Sequence, residues 1–195
     1  MSPETLVKIR RDEQLASAKI LGVKDVRFLP FEDGGMYDEV ALRIEIAKVI
    51  AEIKPDVVIG PDHKLYPESH PDHLRVGEAV SKAYFMCSNV NMMKSVGATQ
   101  IAKPTVLAYY FTGKPNRFVK ITKKDFEKTK AAYACFVSQC PPPDNGKSLM
   151  LYMRLKVRLN GLRSFHIRAD AFRVMNNMHI HCCGEAEDTA IRRPL

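Results

Sequence analysis

Apolar residues recur at helical spacing through the first twenty positions, where Leu6, Ile9, Leu15, Ala18 and Leu21 form one stripe. Ser2 suits the N-cap, Pro3 the first helical position and Gly22 the C-cap, so a helix is predicted from Pro3 to Leu21. Val26-Arg27-Phe28-Leu29 reads as a short strand running into Pro30 and the turn-rich Glu32-Asp33-Gly34-Gly35. A second helix is predicted over Asp38 to Ile53, with Val40, Ile44, Ala47, Val49 and Ile50 on its buried side, until Lys54-Pro55-Asp56 stops it. Val57-Val58-Ile59 then has the β-branched character of a strand buried on both faces of a parallel sheet.

Beyond that strand the chain enters Gly60-Pro61-Asp62-His63 and a loop that ends at His70-Pro71-Asp72-His73. Further helices are predicted from Asp72 to about Met86 and from Phe126 to about Phe136, with a strand at Thr105–Phe111. Pro141-Pro142-Pro143 breaks the chain, and Leu149–Leu159 is a helix or a strand. The last dozen residues carry no clear pattern. Helices alternating with strands predict an α/β fold with a mostly parallel sheet, in which ligands sit at the carboxyl ends of strands. The His-Pro-Asp-His segment falls just beyond such an end.

Composition narrows the class. At 195 residues, with 46% hydrophobic and 27% charged residues, the chain suits a single globular domain spanning residues 1–195. No run is long and apolar enough for a membrane span, and the N-terminus lacks an apolar signal core, so a cytoplasmic protein is expected. Five cysteines at irregular spacing do not make a disulfide framework. Cys182-Cys183 with His179 and His181 could bind metal, although an adjacent pair rarely closes a tetrahedral site. The net charge of +8 raises nucleic acid as a partner, but no recognition motif accompanies the scattered lysines and arginines, so none is expected.

The His-Pro-Asp-His segment concentrates chemistry. A neutral imidazole is a good zinc ligand, and a second one beside it can carry a proton or polarise a carbonyl. Asp72 could orient one of the rings. The alternative is that Pro71-Asp72-His73 simply starts a helix and exposes its side chains.

A wider set of blocks bears on this choice. Ile9-Arg10-Arg11-Asp12-Glu13, Ser17 to Val23, Asp33-Gly34, Lys54 to Val58 and His70 to His73 resemble, in order and spacing, the LmbE/PIG-L family. Tyr66 to Ser69, Tyr109 to Asn116, Ser138-Gln139 and Phe172-Arg173-Val174 are similar to its diacetylchitobiose deacetylase branch. The resemblance spans roughly residues 4–175, is strongest over 4–80, and leaves the tail from His179 to Leu195 unassigned.

The resemblance implies a Rossmann-like sheet flanked by helices and a Zn2+-dependent hydrolase that removes N-acetyl groups from N-acetylglucosamine-containing substrates. It matches His73 to a zinc ligand and His70 to the residue that stabilises the oxyanion. It also matches Asp33 and Arg10 to side chains contacting the sugar. The implied partner is an N-acetylated amino sugar or glycoconjugate, with homo-oligomers possible in principle. The family pattern opens on a strand and an Ala-His-Pro-Asp-Asp motif that supplies two zinc ligands and the general base. This sequence contains no such motif, and Phe136 stands where the family has a histidine. The expectation is a truncated copy lacking its first strand. A non-catalytic relative that binds glycan or a partner, and a site completed by another polypeptide, are the alternatives.

Overall fold

The computed structural model describes residues 2–181, which fold as two compact units. Within the described residues, the first comprises 2–28 and 118–170, and the second 29–117 and 171–181. Cys182 and Cys183 lie outside the described residues.

In the first unit, α1 (Pro3–Leu21) carries the caps its sequence predicts. The Ser2 hydroxyl accepts from the Thr5 N–H, and Gly22 takes the left-handed conformation with φ 81°, which costs least without a Cβ. Val26–Leu29 does not become a strand. Phe28 lies under the guanidinium of Arg11, 5.1 Å from the ring centroid, and Pro30 follows, which lacks the N–H that a strand would donate. Two further helices complete this unit, α5 (Lys123–Tyr133) and α6 (Lys147–Arg163). The first begins three residues earlier than its apolar spacing predicts, because Thr122 and Asp125 form a reciprocal capping box.

The second unit holds the core. Here α2 (Glu39–Ile53) and α3 (Pro71–Met86) pack on each other and α3 on the strand β1 (Val57–Pro61). Ala47, Ile50, Ala51, Val58, Val80 and Ala83 are buried between them, and the short helix α4 (Val90–Ser95) adds Met93. β1 pairs in parallel with β2 (Val106–Tyr110), which pairs antiparallel with β4 (Ala169–Met175). With β3 (Arg117–Lys120), the order is β1-β2-β4-β3. The α/β architecture is as predicted, and the sheet is mixed. A short terminal helix, α7 (Asn177–His181), follows β4. Among the described residues, no helix is long and apolar enough to cross a membrane.

Candidate metal and acid–base site

The parallel pair fixes where the site lies. β1 ends at Pro61, and the chain turns at Asp62, whose N–H still donates to the Tyr110 carbonyl at 2.9 Å. The Asp62 carboxylate faces Arg173 of β4, whose Nε donates to Oδ2 at 2.9 Å while Nη2 donates to Oδ1. Both side chains are buried, and the guanidinium also lies 4.4 Å from the Tyr109 ring centroid. Burial alone would raise the Asp62 carboxyl. Hydrogen bonds from Arg173, Thr112 and the Lys64 N–H outweigh it and hold the group below the usual carboxylate range. The next residue, His63, is pushed below an ordinary imidazole by burial and by the Arg173 charge, and its Nδ1 is buried without a hydrogen-bond partner.

Five residues later Glu68 ties the turn together. Its Oε1 accepts from the Ser69 N–H at 2.9 Å and the His70 N–H at 2.8 Å, and its Oε2 lies 2.8 Å from His73 Nδ1. The bond to His73, then those from the backbone, hold the Glu68 carboxyl down to about 2. His70 is the N-cap of α3 and Pro71 its first residue, so the sequence alternative of a helix start holds as well. The two readings are compatible. Starting the helix at Pro71 puts His70 and His73 one turn apart, with rings stacked at 4.7 Å.

The loop at Asp33 completes the cluster. Gly34 donates its N–H to Asp72 Oδ2 at 2.8 Å, and His70 Nδ1 approaches the same oxygen at 3.8 Å. Gly35 follows at φ 72°, where a Cβ would come within 2.8 Å of the Pro71 side chain, so only glycine lets this loop lie against the start of α3. One donor atom each from Asp33, His70 and Asp72 lies within 4.8 Å of the other two. Asp72 Oδ1 and the Tyr37 hydroxyl are both buried without a partner at hydrogen-bonding distance. They still feel each other electrostatically: burial first, then the Asp72 carboxylate, pushes the Tyr37 phenol up to about 12.

Two carboxylates and an imidazole match the roughly three protein ligands of a catalytic zinc, and an unanswered carboxylate oxygen is what a cation would satisfy. Four of the five sequence-derived residues, Asp33, His70, Asp72 and His73, are therefore brought together. Arg10 lies exposed on α1 in the first unit, near Glu13, which it helps hold below the usual carboxylate range after the larger effect of bonds from Ser138. Glu68, Tyr37 and Arg173 are not among the sequence-derived site residues. For Glu68 the signal was available in its spacing, five residues before His73.

A match to the PIG-L family, described as GlcNAc-PI de-N-acetylase, covers residues 1–84. The diacetylchitobiose deacetylase of Thermococcus kodakarensis is 32% identical over 187 residues, covering 94% of this chain and 68% of the relative. The chain belongs to the PIG-L/LmbE deacetylase family. A probable N-acetyl-alpha-D-glucosaminyl L-malate deacetylase 2 of Bacillus anthracis is 38% identical over 84 residues, 41% of this chain and 35% of that one. Among solved structures, the N,N'-diacetylchitobiose deacetylase of Pyrococcus horikoshii superposes with a TM-score of 0.81 at 28% identity, covering 93% of this chain and 68% of its own. The 4-carboxy-2-hydroxymuconate hydratase GalB of Pseudomonas putida, at 18% identity and TM-score 0.73, shares the fold. PIG-L/LmbE membership makes this chain a deacetylase-type hydrolase by family and gives the cluster at His70 its chemical context.

Proposed function

We propose that the chain is a zinc-dependent deacetylase acting on N-acetylglucosamine-containing substrates, with diacetylchitobiose-like glycans as the first class to try. One observation carries this reading: Asp33, His70 and Asp72 gather donor atoms within 4.8 Å of one another at the carboxyl end of a parallel strand. Zinc held at His73, beside this cluster, would supply a Lewis acid for the acetyl carbonyl and an activated water. His73 is assigned as an imidazole ligand through Nε2, since Nδ1 is committed to Glu68. His70 is assigned to the oxyanion that develops on the acetyl carbonyl, with Asp72 as its partner at 3.8 Å. Asp33, exposed at the mouth of the cluster, is assigned to sugar hydroxyls. For Arg10 the family resemblance is the support, and Arg10→Ala should raise KM with little change in kcat.

Zinc titration followed by acetate release from N,N'-diacetylchitobiose tests the proposal. One ion bound per chain and zinc-dependent acetate release are expected, both lost in His73→Ala. No zinc binding and no acetate would overturn it.

A further inference from the structure

We infer that Glu68 is the positioning residue of the His70–His73 turn, fixing His73 as the Nδ1–H tautomer and presenting its Nε2 to the metal. The inference rests on the zinc reading above but is argued from geometry independent of it. An ionised carboxylate can only accept hydrogen bonds. Glu68 Oε2 lies 2.8 Å from His73 Nδ1, so that nitrogen is the donor, and in a neutral imidazole the lone pair is then on Nε2. The other oxygen is equally committed, accepting from the Ser69 and His70 N–H groups at 2.9 and 2.8 Å. With both oxygens engaged within the turn, Glu68 holds it rather than ligates. Stacking on His70 at 4.7 Å and the Phe111 ring at 6.3 Å confine the imidazole from its flanks. Metal-binding histidines elsewhere are oriented by this kind of carboxylate partner.

The isosteric Glu68→Gln discriminates, because an amide cannot serve both sides. If its oxygen accepts from His73, its NH2 group faces the Ser69 and His70 N–H groups, donor against donor. If it flips, the NH2 group faces Nδ1 and selects the Nε2–H tautomer. Imidazole 15N–1H correlation spectra of the metal-free protein at mildly alkaline pH should show His73 protonated on Nδ1 in the wild type. Glu68→Gln should show Nε2–H or a mixture. Zinc affinity, by competition with a chromophoric chelator, should fall ~10–100-fold in Glu68→Gln and recover in part in Glu68→Asp. An unchanged Nδ1–H tautomer, or zinc affinity within about twofold of wild type against that ~10–100-fold expectation, overturns the inference. A wild-type chain that binds no zinc sinks the zinc reading instead, and the tautomer comparison then decides the role of Glu68 by itself.

Discussion

Two polar clusters flank the same strand end in the second unit, and they are built on opposite rules. At Asp62–Arg173 both carboxylate oxygens meet the guanidinium, both side chains are buried, and a ring caps the cation. At Asp33–His70–Asp72 two carboxylates crowd one imidazole, and Asp72 Oδ1 is buried with nothing to accept from. The first cluster is closed, its charges cancelled by its own side chains, and it joins the strand end to β4. The second leaves Asp72 Oδ1 unanswered, an oxygen that a cation would satisfy. The contrast separates scaffold from site: polar groups that hold a fold together are satisfied, and those kept for a ligand are not.

Breaking the closed cluster should have the largest effect on stability. Arg173→Met leaves Asp62 buried and uncompensated, and urea denaturation at neutral pH should show a loss of ~3–5 kcal/mol. A loss under ~1 kcal/mol would mean that the pair does not carry the join. The open cluster should respond much less. Asp72→Asn keeps an oxygen for the Gly34 N–H but removes a carboxylate whose hydrogen bonds outweigh its burial and hold it below its ordinary range. The metal-free protein should therefore lose no more than ~1 kcal/mol at neutral pH while zinc affinity falls. Destabilisation by more than ~1 kcal/mol would make Asp72 a structural residue like Asp62.

Acid sharpens the comparison further. The Glu68 carboxyl is held at about 2, below its ordinary value of 4.5, so its bonds to the turn favour the folded state above that ordinary value. That contribution declines as pH falls from there toward about 2, and Glu68→Gln should flatten the acid limb of a stability–pH curve in this range. Equal slopes in the two proteins would count against it. The smallest effect is expected at Lys48–Glu45, a half-buried pair at 2.9 Å on α2. Lys48→Ala should change stability by less than ~0.5 kcal/mol, which sets the baseline against which the clusters are judged.

Much of this arrangement is legible in the sequence, for identifiable reasons. α1, α2, α3, β1 and β2 each combine one strong periodicity with a cap or a breaker, so local chemistry and tertiary packing agree. β4 was missed because its alternation is interrupted by Asp170 and Arg173, and Arg173 is buried only through its pairing with Asp62, 111 residues earlier in the chain. No local pattern reports such a partner. α4 is six residues long, marked mainly by the Asn89 cap, and falls below what apolar spacing can distinguish. The site was half visible: the turn at His70 stands out by residue type, and the family resemblance drew in Asp33. Tyr37 entered only when the loop and the helix start were folded against each other.

Gly77 is the residue on which the placement of that turn depends. It sits one turn after His73 on α3, and a Cβ there would run into the Pro61 carbonyl oxygen and come within 3.0 Å of the His63 N–H nitrogen. The gap between helix and strand end is thus no wider than a hydrogen atom at Cα allows. A single methyl group would lever the start of α3 away from β1, and shifts of about 1 Å in reacting groups can cost ~100-fold in rate. The reach of the histidines is metered by a side chain that is absent, and a change at Gly77 would mistune chemistry at which it takes no direct part.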